Sequence, residues 1–251
     1  MKAGLPEWAR RRLDPTERYG LRVTLFALAT LLVLVPFLYL LLQVTTDGPL
    51  TRTDAEVAES FHDTARDSSL LVGASKVISF LGIPAWYYLI IGTGAMYFWR
   101  KGRPRVASYL IVTNVVGGII NFAVKLAVGR PRPHLDEPVA EALGKSFPTG
   151  HAMASTVGYG TLLLAFMPIL PRRWRVPAVV IYFVWVALMA LSRVVLGVHY
   201  VSDVVGGFVL GLAWLTAGTA AFSIWRTEEG DTPVEVLEGV EPEVEKTFAG
   251  D

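Results

Sequence analysis

Six ionisable side chains define the chemistry open to this sequence: Lys125, Arg132, His151, Arg193, His199 and Asp203. Three are cations, two are imidazoles, and Asp203 is the only acidic residue between Glu141 and Glu228. His199 and Asp203 are four apart, which on a helix puts them on one face and lets the carboxylate hold one imidazole nitrogen. The other nitrogen is then unprotonated and available as a nucleophile or base. The run Ser146-Phe147-Pro148-Thr149-Gly150-His151 reads as a turn into a helix, with Thr149 as N-cap and backbone N–H groups at the positive dipole end. Lys125, Arg132 and Arg193 together with such N–H groups make a cradle for a doubly charged phosphoryl group. One carboxylate among three cations is a poor cage for Mg²⁺ or Ca²⁺. The expectation is metal-free phosphoryl transfer through histidine, with no cofactor.

The elements that must position these groups are membrane helices. Of 251 residues, 53% are hydrophobic and 18% charged, with a mean hydropathy of +0.45; a soluble domain carries about a quarter charged residues. The chain has no cysteine, which excludes disulfide scaffolds, thiol nucleophiles and Cys-ligated zinc or iron–sulfur centres. No continuous basic face is offered to a nucleic acid. Six apolar stretches are long enough to span a bilayer: 21–44, one within 70–99, 106–128, 151–170, 176–196 and 204–225. The second contains Pro84 and is read as a kinked or two-piece helix. The first is too long for a signal h-region and has no small-residue cleavage site after it, so it is read as a retained helix. The fold expected is an all-α, six-helix transmembrane bundle over residues 21–225.

Fifteen of the 23 basic residues fall before the first span, in the 100–105 and 171–175 connections, or in the tail, which makes those segments and both termini cytoplasmic. Trp99, Trp174 and Trp225 mark the same boundary as an interfacial belt. Counting up from it, Lys125 lies 20 residues beyond Arg105 and Arg193 lies 18 beyond Arg175, about 30 and 27 Å of helix rise. Both therefore reach the outer boundary, where His151 and Asp203 begin their spans, with Arg132 and His199 in the short loops 129–150 and 197–203. Intramembrane ionisable groups gathered at one depth mark a functional site by default. Lys125 and Arg193 alone are equally well read as snorkelling anchors, which leaves both histidines and Asp203 without a reason. A non-enzymatic alternative, a transporter or binder of anionic lipids, needs only the cations.

Outside the bundle, residues 1–20 read as a cytoplasmic arm and 226–251, with nine acidic residues, as a disordered cytoplasmic tail. The outer loop 45–69 contains an amphipathic helix over 53–69, with Val57, Phe61 and Ala65 on one side, either a solvated helix or a cover for the site. His62 and His134 are expected at the surface, Arg130 as a loop charge, and Lys76 at the outer headgroups. Asn114 and Asn121 read as interhelical hydrogen-bonding groups or as a polar stripe toward the site, and Gly207 and Gly211 as a helix-packing pair.

Three motifs in order carry a family resemblance. Lys125-Leu-Ala-Val-Gly-Arg-Pro-Arg132-Pro133 resembles the Lys-x6-Arg-Pro motif of the type-2 phosphatidic acid phosphatase superfamily. Phe147-Pro148-Thr149-Gly150-His151 resembles its Pro-Ser-Gly-His motif, and the stretch from Ser192-Arg193 through His199 to Asp203 resembles its Ser-Arg-x5-His-x3-Asp motif. The resemblance covers roughly residues 70–225. It implies that His199 attacks phosphorus to form a phosphohistidine, that Asp203 orients the imidazole, and that His151 protonates the leaving group and then activates water. Lys125, Arg132 and Arg193 would bind phosphoryl oxygens, helped by the Thr149 hydroxyl and the Gly150 N–H. Thr149 departs from the family's usual serine but keeps the hydroxyl, so no loss of activity is expected. The resemblance further implies a lipid phosphate substrate of the undecaprenyl pyrophosphate, phosphatidylglycerol phosphate or phosphatidic acid class, met at the extracytoplasmic face of a bacterial plasma membrane. The soluble vanadium-dependent haloperoxidases share these motifs, but six spans exclude that reading.

Overall fold

The computed structural model describes residues 6–13, 21–135, 140, 142–228 and 238–241. Regular structure among them is helical: α1 (Glu7–Leu13), α2 (Leu21–Thr45), α3 (Pro49–Arg66), α4 (Ser69–Phe80), α5 (Pro84–Arg100), α6 (Pro104–Val128), α7 (Gly150–Phe166) with a 3₁₀ turn Met167–Ile169, α8 (Arg172–Val195) and α9 (Val201–Glu228). Five helices are long and apolar enough to cross a membrane. The pair α4–α5, bent by 47°, makes a sixth broken span. The break falls at Pro84, which holds Ile83 extended (φ −67°, ψ 149°).

Helix ends follow local chemistry. Proline occupies the first turn of α3, α5 and α6, where its missing N–H leaves no bond unmade. Ser68 caps α4 by accepting from the Leu71 N–H at 3.3 Å. Gly129 ends α6 in the left-handed region (φ 65°), its N–H donating to Lys125 O at 3.1 Å. That turn sends the following chain back across the bundle end.

α7 sits at the centre, packed by α5, α6, α8 and α9, and is buried nearly all round by small residues including Ala152, Ser155, Gly158 and Gly160. Lipid-like packing of this kind relies on close backbone approach. Gly207 and Gly211 supply it from α9: a methyl on Gly207 would stand 2.6 Å from Thr149 O, and one on Gly211 2.9 Å from Thr156 Cβ. Asn114 ties three helices together. It accepts from the Tyr87 hydroxyl and donates to Thr161 Oγ1 at 2.9 Å and Leu110 O at 2.7 Å. Around this core α2, α6 and α8 turn apolar side chains outward, among them Leu32, Val35, Phe122 and Ile181, as a bilayer requires.

At one end of the bundle Phe98, Phe166, Tyr109 and Phe222 stack with centroid spacings of 4.8 and 4.9 Å. Most of the acidic tail lies outside the described residues, as do 1–5 and 14–20 of the arm. Within the tail, 238–241 is packed into this aromatic end: Val240 is fully buried, its N–H donates to Leu164 O at 3.1 Å, and Glu241 lies 3.5 Å from Arg103 and 3.6 Å from Arg226. An ordered contact thus stands where disorder was expected, because one apolar side chain and one ion-paired carboxylate outweigh the acidic composition locally.

α3 also differs from expectation. It runs Pro49–Arg66 rather than 53–69, since Pro49 opens it and Ser68 already belongs to the cap of α4. Its buried face is Asp54, Ala58, His62 and Ala65; Val57 and Phe61 are only half-buried. His62, expected at the surface, is buried under the 196–200 turn, Gly197 lying against it.

Gly207→Ala should lower the melting temperature of the detergent-purified protein, by the equivalent of about 1–3 kcal/mol for overpacking. Gly92→Ala, with open space around its position, should melt unchanged or slightly higher. Equal melting of the two variants would mean that α7 and α9 do not approach this closely.

Candidate active site

At the end opposite the aromatic cluster, four helix termini meet. Lys125 lies in the last turn of α6, His151 in the first turn of α7, Arg193 in the last turn of α8 and Asp203 in the first turn of α9. Arg132 follows α6 in its loop, and His199 sits in the turn between α8 and α9. All six sequence-predicted groups come within electrostatic range of one another.

His199 is buried, and its two nitrogens face different partners. Nε2 lies 3.0 Å from Arg132 Nη1. A guanidinium only donates, so Nε2 carries the lone pair and Nδ1 the proton. Nδ1 faces Ser146 Oγ at 3.2 Å and Asp203 Oδ2 at 3.4 Å. The predicted pairing thus holds, though not because both residues ride one helix. His199 precedes α9, and Asp203 reaches back to accept from the Tyr200 N–H at 2.9 Å, half of a capping box. Ser146 also donates to Asp203 Oδ2, and Asp203's own carbonyl accepts from the Thr149 N–H at 3.0 Å. Burial holds the His199 imidazole well below its ordinary value, to about 4, against the opposing pull of Asp203.

The cations are aimed by backbone carbonyls. Arg132 donates to Val198 O at 2.7 Å and to Leu143 O and Gly144 O at 3.0 Å, and Lys125 donates to Lys145 O at 3.0 Å. Arg193 donates to Ser79 Oγ on α4. Among the described residues Thr149 Oγ1, His151 Nε2 and Arg193 Nε are buried without a hydrogen-bond partner. Thr149 occupies the N-cap position of α7 as expected, but its side chain makes no capping bond. Gly150, His151, Asn121 and Asn114 line a cavity of about 220 Å³ that runs inward between α5, α6 and α7 to Tyr87 and Tyr88. Asn114 therefore serves as a packing bond and, with Asn121, as a polar stripe leading to His151.

Four residues of the site were not singled out for it by sequence: Asp54, Arg130, Ser202 and Ser79. Arg130, expected as a loop charge, is buried. It donates to Asp203 Oδ1 and Ser202 Oγ, both at 2.7 Å, and to Asp54 Oδ2 at 2.9 Å, with its guanidinium 4.1 Å over the Tyr200 ring. A cation held between two buried carboxylates does not remain in solvent. The one local signal was the spacing Asp54-Ala58-His62-Ala65, a small-residue face bounded by titratable groups. His134 is exposed, as expected, beside the polar cavity shared by His62 and Tyr200.

The arrangement has known counterparts. Residues 106–226 match the model of the PAP2 superfamily. Phosphatidylglycerophosphatase B of Bacillus subtilis is 35% identical over 127 residues, 49% of this chain and 60% of that one. A lipid A 1-phosphatase of Rhizobium johnstonii is 35% identical over 163 residues, 61% of this chain and 62% of that one. An undecaprenyl-diphosphatase of Sulfolobus acidocaldarius is 26% identical over 136 residues, 51% and 61% of the two chains. The chain thus matches about three fifths of the length of these relatives. The crystal structure of a transmembrane PAP2-type phosphatidylglycerolphosphate phosphatase from Bacillus subtilis superposes with a TM-score of 0.68 at 25% identity, over 80% of this chain and 96% of that one. Residues 106–226 thus resemble a PAP2 superfamily domain, carried on a helical bundle like that of the transmembrane PAP2-type phosphatase.

Proposed function

We propose that the protein is a metal-independent membrane lipid phosphatase that works through a phosphohistidine on His199. The observation that carries this reading is the unprotonated His199 Nε2 held against Arg132, with His151 and Arg193 in electrostatic range and Thr149 Oγ1, His151 Nε2 and Arg193 Nε buried without partners. Thr149 Oγ1 and Arg193 Nε are donors that match the oxygens of a phosphoryl group, and His151 Nε2 donates when its ring is protonated. On binding, Arg132 exchanges its contact with Nε2 for one with a phosphoryl oxygen, and Lys125, Arg193, Thr149 and the Gly150 N–H hold the others. The Nε2 lone pair forms a bond to phosphorus as the bond to the lipid oxygen breaks, and His151 gives that oxygen its proton. Asp203 stabilises the charge that develops on the ring, as an orienting carboxylate does for any nucleophilic histidine. Water then attacks the phosphohistidine, His151 takes its proton, the P–N bond breaks and inorganic phosphate leaves.

The positive-inside count supports a site at the extracytoplasmic face with both termini cytoplasmic, and the bacterial relatives favour a bacterial plasma membrane. The lipid approaches sideways, phosphate first, with specificity set by loops and groove width rather than by the motifs. Phosphatidylglycerol phosphate, undecaprenyl pyrophosphate, phosphatidic acid and lipid A 1-phosphate form the substrate panel.

Purified protein in EDTA should release phosphate from at least one of these lipids. His199→Ala should abolish release while leaving lipid binding intact, and Asp203→Asn should slow it by about 10²–10⁴-fold, the usual worth of positioned acid–base chemistry. Strict Mg²⁺ dependence, or release that survives His199→Ala, would falsify the mechanism. Lipid binding with no release from any of the four would put an anionic-lipid transporter in its place.

Burial of His199 sets a second test. With its pKa lowered to about 4, the imidazole should stay neutral across pH 5–8. Its ¹⁵N resonances, assigned by their loss in His199→Ala, should titrate near 4 rather than near the ordinary histidine value of about 6.5. Between those two values the unfolded chain binds the proton that the folded chain refuses, so this group's contribution to stability declines as pH falls through that window. A titration near 6.5 would mean that the ring is solvated rather than held.

A further inference from the structure

Among the described residues three carboxylates are buried: Asp203, Glu241 at the aromatic end, and Asp54. Asp54 lies on α3, outside the matched family region and outside all three motifs. It is nonetheless saturated with contacts to the site's scaffold. Oδ1 accepts from the Ser202 N–H at 3.0 Å, and Oδ2 accepts from the Ser202 hydroxyl and from Arg130 Nη2 at 2.9 Å. The other arm of the same guanidinium lies 2.7 Å from Asp203 Oδ1. Chain separation makes this an expensive arrangement to assemble by chance: Asp54 stands 76 residues from Arg130 and 148 from Ser202.

Charge explains why such a group belongs there. Arg130 cannot lose its proton. Set against Asp203 alone, it would draw on the carboxylate that His199 needs and would repel the positive ring formed as His199 takes a phosphoryl group. A second carboxylate on the far arm cancels that cation and leaves Asp203 with its full negative charge toward Nδ1. The Ser202 N–H, held by the same group, fixes the first turn of α9, on which Asp203 rides. We propose that Asp54 is a positioning residue, reaching from the outer helix α3 to balance Arg130 so that Asp203 can serve His199. The inference rests on the reading of His199 as the nucleophile.

Asp54→Asn tests it, since the amide keeps the shape and the acceptor for Ser202 but removes the charge. Expected is a fall in kcat of about 10- to 100-fold, the range for uncoupling one buried pair, with KM within about twofold and the same loss in the single-turnover rate of phosphohistidine formation. The double variant Asp54→Asn/Arg130→Gln removes both charges and should recover part of that kcat. A purely structural staple predicts the reverse, with the double variant no better than the single one and KM and melting temperature moving together with kcat. Full activity in Asp54→Asn would also overturn the proposal. If an unbalanced guanidinium prevents Asp54→Asn from folding, the double variant carries the test: kcat within about 10-fold of wild type supports charge balance, and a loss beyond about 10³-fold refutes it.

Wild type and His199→Ala run in the same panel separate this idea from the phosphatase reading. If wild type releases no phosphate, the readout becomes the His199 Nδ1 proton resonance. It should move upfield in Asp54→Asn and return in the double variant; an unmoved resonance in folded protein overturns the proposal without reference to turnover.

Discussion

The carboxylate of Asp203 is the constraint from which the rest of the site follows. A fully buried carboxylate is tolerated only where its lone pairs are met by donors. Here they are met from four directions: the Tyr200 N–H, the Ser146 hydroxyl, the His199 imidazole and the Arg130 guanidinium. The donors come from three stretches of chain, so satisfying one side chain brings the loop after α6, the entry to α7 and the turn before α9 to one point. The Thr149 N–H closes the knot on Asp203's own carbonyl. Gly207 follows one turn later on α9, where the absence of a Cβ lets Thr149 approach. Packing and polar satisfaction therefore demand the same geometry, which is what makes it single-valued.

The bundle supplies what that knot requires from below. Helices in a bilayer satisfy their own backbones, so irregular chain is confined to their ends. Placing the chemistry at the shared ends of α6, α7, α8 and α9 lets loop residues such as Arg132 find carbonyl partners at Val198, Leu143 and Gly144. These contacts hold a long cation in one rotamer before any ligand arrives. At the opposite end the same problem has an apolar answer, an aromatic stack sealed by Val240 and the Glu241 pairs with Arg103 and Arg226.

What could be read from sequence was what is encoded locally. Span lengths, the break at Pro84 and the pairing of His199 with Asp203 follow from runs, periods and spacings of a few residues. The depth of Lys125 and Arg193 followed from helix rise alone. What escaped depended on partners far along the chain. Arg130 looked like any loop charge because both carboxylates that bury it are more than 70 residues away. His62 looked exposed because the turn that covers it comes from the far side of α8. Val240 and Glu241 were hidden in an acidic tail whose composition speaks for solvation. Of the face expected on α3 Ala65 is buried and Val57 and Phe61 are half-buried, but Asp54, Ala58 and His62 were missed because a hydrophobic period does not register small or titratable docking positions.

That docking mode bears on how such a site keeps a rigid interior beside a fluid one. Phosphoryl transfer asks for several cations and a neutral, correctly tautomeric imidazole in the same small volume, and like charges at these distances repel strongly in a medium of low polarity. A bilayer-edge site cannot rely on water to screen them. The alternative is to give the cations internal partners, a carboxylate, a carbonyl dipole or a hydroxyl, while leaving some polar groups of the site unmatched. Arg130 has two carboxylates, Arg132 three carbonyls, and Lys125 one carbonyl. Thr149 Oγ1, His151 Nε2 and Arg193 Nε are buried there without hydrogen-bond partners. In the phosphatase reading a dianion entering this shell meets no hydrogen-bonded internal partner competing for those three groups.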